Sequence, residues 1–204
     1  MSGYMDVSTF WHAFLPLFVA LDGVGLLPLY WGLTRRLSAA QRRQAVGEAV
    51  VTALLVALSF LLVSRFVFAL MGLAVSDVMI AGGAILIVLC LRELIAPASA
   101  PAADRPSPGV VPLGVPLLCG PAVLATVLLV RDQHGWAITL IALLANLAAV
   151  WGILRSADWL MDRLGTYGAE VISKIANLIL TAYGVMLIRQ GLTALLAAHA
   201  AEYP

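Results

Sequence analysis

Charge is scarce in this sequence. Only 11% of its residues are Asp, Glu, Lys or Arg, against about 25% in a soluble domain. Apolar residues make up 62% and mean hydropathy is +1.00, so the chain reads as an integral membrane protein rather than a soluble enzyme. Its apolar runs are continuous and do not alternate over about ten residues, which excludes a β-barrel. Cysteine is nearly absent. Cys90 and Cys119 both fall in apolar stretches, with no CxxC pair and no metal-ligand spacing, and read as packing residues. His12, His134 and His199 stand apart and make neither a metal set nor a catalytic dyad. No HExxH, GxSxG, P-loop or dinucleotide fingerprint is present, so no enzyme, cofactor or ATP-driven chemistry is expected. Net charge is +1 without a basic cluster, which leaves no footprint for nucleic acid. Residues 1–9 hold Asp6 but no Lys or Arg, so a signal peptide's positive start is missing. The first apolar span is therefore expected to stay in the mature protein.

What is present is a set of apolar runs broken in telling places. Six membrane spans are expected, near residues 10–33, 45–71, 78–95, 110–130, 136–154 and 175–196. Ser38 is placed to cap the second helix. Residues 131–135 read as a short polar loop, and 155–174 as an amphipathic connector. The segment 96–109, rich in Ala, Pro and Ser, reads as a cytoplasmic linker between two membrane repeats, 1–95 and 110–204. The small residues Ala81-Gly82-Gly83-Ala84 allow close helix approach in span three. Asn146 and Asn177, in spans five and six, read first as hydrogen-bonding links between helices and second as substrate contacts.

The first span is interrupted by Asp22-Gly23-Val24-Gly25-Leu26-Leu27-Pro28. A carboxylate near mid-membrane costs about 2.5–3.5 kcal/mol on insertion scales. The adjacent glycines and proline weaken the helix at the same point. The fourth span holds Pro112, Pro116, Gly120 and Pro121, too many breakers for a plain helix. These two spans are expected to be discontinuous, with freed backbone groups facing a cavity. Asp22 reads as a cap for its own helix or as a charge acting on substrate or coupling ion. Thr126, just past the second break, reads as a hydroxyl bonded back to its own helix or as a donor to a substrate carboxylate.

The halves echo each other at a spacing near 96. Pro16-Leu17-x-Val19-x-Leu21 matches Pro112-Leu113-x-Val115-x-Leu117, and Ile80-Ala81-Gly82 matches Ile175-Ala176-Asn177. Three spans per half is an odd number, so a duplication must be inverted. The expected architecture is all-α and polytopic: six transmembrane helices in two inverted three-helix repeats. Paired breaks at corresponding positions point to a transporter's substrate site. The candidate substrate-binding residues are Asp22, Gly23, Gly25, Pro28, Pro116, Gly120, Pro121 and Thr126. With the N-terminus outside, nine Lys or Arg residues fall on cytoplasmic loops and three on the outer side. Both termini are therefore expected outside.

These residues resemble the MarC family (UPF0056-like), which includes the SnatA small neutral amino acid transporters. The family's first-span pattern Asp-Pro-x-Gly-Asn-x-Pro stands here as Asp22 to Pro28, its Ile-Ala-Gly-Gly as Ile80 to Gly83, and its fourth-span proline and glycine motif as Pro112 to Ala122. Gly23 replaces a proline, Leu26 an asparagine and Ala122 a glycine. The resemblance implies a secondary transporter in a bacterial or archaeal inner membrane, carrying glycine- or alanine-like amino acids by alternating access. The partners it implies are the solute, the bilayer and a coupling ion, H+ or Na+, with self-association left open. The missing asparagine keeps a second reading in view, an exporter of another small solute in a LysE-like group. A third reading, a non-transporting membrane partner, predicts unbroken first and fourth spans.

Overall fold

The computed structural model describes residues 7–34, 37–95 and 109–202. The expected linker, apart from residue 109, lies outside the described residues, as do Arg35, Arg36 and Arg105. Every described element is helical: α1 (Val7–Leu21), α2 (Leu27–Thr34), α3 (Ala39–Met71), α4 (Val75–Ile95), a π-helical segment π1 (Gly109–Leu118), α5 (Pro121–Arg155) and α6 (Ala157–Glu202). Among the described residues four helical stretches are long and apolar enough to cross a membrane: Ala39–Ser64, Val75–Arg92, Pro121–Arg155 and Glu170–Ala197. The shorter Ser8–Leu21 is apolar as well. Large apolar side chains such as Leu62, Leu70 and Ile95 face outward, as expected where the solvent is hydrocarbon.

Local chemistry sets the helix ends. Ser38 caps α3 as expected. Its hydroxyl accepts from the Gln41 amide at 3.3 Å, while the Gln41 side chain accepts from the Ser38 amide at 2.9 Å, a reciprocal capping box. α3 stops at Gly72, whose left-handed φ of 68° lets the Gly72 and Leu73 amides fold back onto the Phe68 carbonyl. Asp77 then caps the next turn by accepting from the Ala74 amide at 2.8 Å.

Two connections differ from expectation. Residues 131–134 continue the helix, and Gly135 alone, at φ 79° and ψ 176°, divides α5 into segments 121–134 and 136–155. The expected connector at 155–174 is likewise helical from Ala157, with a single break at Gly165, φ 64°. Asp132, Gln133 and His134 read as loop by polarity, yet they hold a helix because only one residue is needed to redirect the chain.

The small-residue patch in α4 is a contact surface. A Cβ placed on Gly82 would lie 2.7 Å from the Cβ of Ala125 in α5, and one on Gly83 would lie 2.5 Å from the Gly184 carbonyl oxygen in α6. A Cβ on Gly191 of α6 would lie 2.8 Å from the Ser76 carbonyl oxygen. Backbones that approach this closely gain dispersion contacts, the main attraction left between helices in lipid. The first segment of α5 is the most enclosed part of the bundle: residues 122, 123 and 125–130 are all buried. Cys90 and Cys119 are buried and unbridged, in line with a packing role.

Arginine and tryptophan mark the bundle's two ends. At one end Arg42 joins three elements: it pairs with Asp158 of α6, donates to the Leu37 carbonyl at 3.2 Å, and stacks over Trp31 of α2. Arg155 stacks on Trp151, and Arg163 on Trp159. Arg131 stacks on Trp136 on either side of the Gly135 turn. Such pairs suit the membrane–water boundary, where the indole lies among lipid and the guanidinium reaches the headgroups.

Candidate functional site at two helix breaks

α1 ends because Asp22 leaves helical geometry. Its φ is 43°, a left-handed conformation uncommon for a side chain with a Cβ but tolerated by Asp. The Asp22 amide still donates to the Phe18 carbonyl at 3.2 Å. The Asp22 carboxylate oxygen Oδ1 accepts from the Gly25 amide at 3.0 Å, and its carbonyl accepts from Leu26 at 3.0 Å. The capping role is therefore realised: Asp22 closes α1 and opens the turn that leads into α2. Among the described residues no hydrogen bond reaches the amides of Gly23 and Val24.

Both glycines of the break are required by close contact. A Cβ on Gly25 would strike the Asp22 carboxylate at 2.1 Å, and one on Gly23 would meet Val150 of α5 at 2.9 Å. Ser173 of α6 donates to the Gly25 carbonyl at 3.4 Å, which ties the break to the bundle. Pro28 follows in the first turn of α2, where its missing N–H costs little.

The second break is built differently. Pro112 and Pro116 lie within π1. Neither proline has a backbone N–H to donate within the segment. The segment closes with the Cys119 amide on the Gly114 carbonyl at 3.0 Å. Gly109 and Gly114 let it pass close along α3: Cβ atoms there would meet the Ala45 carbonyl at 2.6 Å and Thr52 at 2.8 Å. Gly120 then takes an extended conformation and α5 starts at Pro121 with no side-chain cap. The Leu124 amide bonds to the Gly120 carbonyl at 3.1 Å, but no described group caps the amides of Ala122 and Val123. One break is thus capped by a carboxylate and the other presents an open helix N-terminus, with its partial positive charge.

Each break opens a pocket. Asp22, Gly23 and Val19 line one of about 230 Å³ against Ile175, Ala176 and Ile179 of α6. Pro121, Cys119 and Val115 line one of about 580 Å³ against Ala81, Gly82 and Ile85 of α4. The two pockets share no residue, and both are lined mainly by apolar side chains. Of the expected site residues, Asp22 and Gly23 meet in the first pocket and Pro121 lies in the second. Gly25 backs the first break through Asp22 and Ser173, Gly120 precedes the second pocket's Pro121, and Pro116 belongs to π1.

Thr126 lines neither pocket and is fully buried. Its hydroxyl donates to the Ala122 carbonyl at 2.8 Å, the bond back to its own helix, and lies 3.0 Å from the Tyr183 hydroxyl of α6. Tyr183 sits one turn beyond Ile179 and Leu180 of the first pocket, and Thr126 follows Leu124 of the second. Replacing Thr126 with valine leaves the buried Tyr183 hydroxyl without this partner. It should lower stability by about 1–3 kcal/mol, and Tyr183→Phe in the same background should recover part of that loss. Thermal unfolding of the four proteins in one detergent measures the coupling, and strictly additive losses would mean the hydroxyls do not interact.

Ser173 and Tyr183 are absent from the sequence-derived set. With Asn177 they are the buried polar members of one α6 stripe that continues through Leu180 and Leu187, and the four-residue spacing of Ser173 and Asn177 is the available signal. Asn146 acts as the expected interhelical link. Its amide nitrogen donates to the Phe14 carbonyl of α1 at 3.1 Å and to the Ala142 carbonyl at 2.8 Å. Its buried amide oxygen has no partner among the described residues, and it lies one turn before Val150, the residue against Gly23.

Comparison with known proteins places the chain. Residues 7–196 match the family described as MarC family integral membrane protein. A UPF0056 membrane protein of Pyrococcus abyssi is 28% identical over 191 residues, covering 91% of this chain and 95% of that protein. A UPF0056 membrane protein of Methanocaldococcus jannaschii is 29% identical, covering 94% and 90% respectively. The UPF0056 inner membrane protein YhgN of Escherichia coli K12 is 28% identical, covering 86% and 92%. No solved structure matches.

Proposed function

This chain belongs to the MarC family of integral membrane proteins, and from that premise we propose that it is a secondary transporter of small neutral amino acids of the glycine or alanine type. The observation that carries the reading is the correspondence of the two pockets. Val19 and Val115, matched at a spacing of 96, line one pocket each, and Ala176 and Ala81, matched at 95, line one each. Helix contacts follow the same exchange. α1 packs on α5 as π1 packs on α3, α2 packs on α6 as α5 packs on α4, and α4 packs on α6 itself. This is the pairing an inverted repeat produces, with α1 and α2 forming span one and π1 and residues 121–134 forming span four.

In this reading the solute is held at mid-membrane between the breaks, whose pockets are separate in this structure. The open N-terminus of α5 suits a carboxylate, the oxygens around Asp22 suit an ammonium group, and the apolar walls admit a short aliphatic side chain. Alternating access rocks one repeat against the other, across contacts such as Gly83 on Gly184 and Asn146 on the Phe14 carbonyl, while the Thr126–Tyr183 contact lies within the second repeat. The arginines at the Arg42 end set that face to the cytoplasm by the positive-inside rule, with both termini outside. A bacterial or archaeal inner membrane fits the named location of YhgN. A non-transporting partner role sits poorly with interruptions in both spans. Leu26, in place of asparagine, packs against the core and leaves no polar side chain at that point, which favours the second reading, another small solute. Counterflow in liposomes against a panel of amino acids and unrelated small solutes tests both. Exchange of labelled glycine or alanine is expected, and flux of no small amino acid would sink the substrate assignment.

A further inference from the structure

A third pocket, of about 540 Å³, lies at the Arg131 end of the bundle, between the end of α3, the α3–α4 turn and the Gly135 turn of α5. That volume lies within the range of small-molecule sites. We propose that it is a docking site for the free amino acid zwitterion on its way to the second break, an inference that rests on the transport reading above.

Arg131 and Asp132 both line this pocket. They are adjacent residues of opposite charge at the end of a segment, 121–130, that carries no charge at all. Neither forms an ion pair with a described residue. Arg131 stacks over Trp136 at 4.7 Å. A guanidinium held by its face keeps its N–H rim open, in the planar fork that matches a carboxylate. Asp132, exposed on the same pocket, offers the acceptor an ammonium group needs. Interfacial anchoring would explain the arginine and the tryptophan but not the aspartate, which repels anionic headgroups. Phe68 and Leu128 supply apolar wall for a short side chain. Leu73 lines both this pocket and the one beside Pro121. The pocket at the Arg131 end therefore adjoins the pocket beside the second break at Leu73.

The test uses the full chain in right-side-out and everted membrane vesicles, with labelled glycine or alanine in counterflow. Arg131→Gln and Asp132→Asn should each raise KM about ten-fold, the loss of one charged hydrogen bond. The effect should occur only in the orientation that presents this end to the labelled substrate, with the maximal rate unchanged. Arg131→Lys, which keeps the charge without the fork, should fall between. An unchanged KM, or an equal change in both orientations, would overturn the proposal while leaving transport intact. Absence of flux in the unsubstituted protein would overturn both readings. Phosphatidylethanolamine carries similar zwitterionic chemistry, so the measurement is repeated in liposomes free of that lipid. A KM effect that vanishes there would assign the pocket to a lipid headgroup, and one that persists supports the free amino acid.

Discussion

Gly83→Ala should destabilise this protein by about 3 kcal/mol, the upper end of ordinary overpacking costs. The new Cβ would stand 2.5 Å from the Gly184 carbonyl oxygen and 2.9 Å from Ile188. The first of these is backbone inside a helix, so no rotamer change relieves it, and α4 and α6 must separate along their shared contact. That contact is central to the bundle, because Gly184 and Gly191 depend on the same closeness. Gly47→Ala in α3 is the matched control. A Cβ there meets nothing within 4 Å, so the substitution should be neutral or stabilise by up to about 1 kcal/mol through helix propensity. Thermal midpoints in a single detergent compare the two. Equal midpoints would show that the α4–α6 contact is looser than the structure places it.

The second large effect concerns Asp22, where three substitutions separate three properties. Asn keeps an oxygen to accept from Gly25 and tolerates φ 43°, Gly tolerates the φ but loses the acceptor, and Ala loses both. Loss of the cap costs about 0.5–2 kcal/mol, and a left-handed alanine adds about 1–2 kcal/mol. Stability should therefore fall in the order Asn, Gly, Ala, with Ala close to 3 kcal/mol below the unsubstituted protein by that sum. Counterflow should follow the same order if Asp22 acts by shaping the break. Transport by Asp22→Asn at every pH tested would show the charge to be dispensable. A stable Asp22→Asn protein without flux would instead give the carboxylate a direct role on the solute or the coupling ion. Alanine outperforming asparagine in stability would refute the capping account.

Much of this protein is legible in particular residues. Continuous apolar runs with scarce charge determine membrane helices, because neither water nor a two-sided sheet could hold them. Ser38 with Gln41 fixes the start of α3 through a short-range hydrogen-bond pattern that needs no tertiary partner. The breaks at Asp22–Leu26 and Cys119–Gly120 follow from glycine and proline, whose effects on the backbone are local. Polarity misleads at Asp132 to His134, since a polar run at a membrane boundary suits a helix end as well as a loop.

What the tertiary structure alone decided is which groups meet. Nothing local tells that Gly23 lies against Val150, that Ser173 bonds to the Gly25 carbonyl, or that the Thr126 hydroxyl reaches Tyr183 57 positions away. Nor does the sequence show that each break opens a pocket of its own, one against α6 and the other against α4. The physical reason lies in range. Caps, breakers and hydropathy act within a helical turn or along one span, and sequence order carries them directly. Helix contacts depend on which small residues let two backbones close together, and that is settled only when all the helices are packed at once.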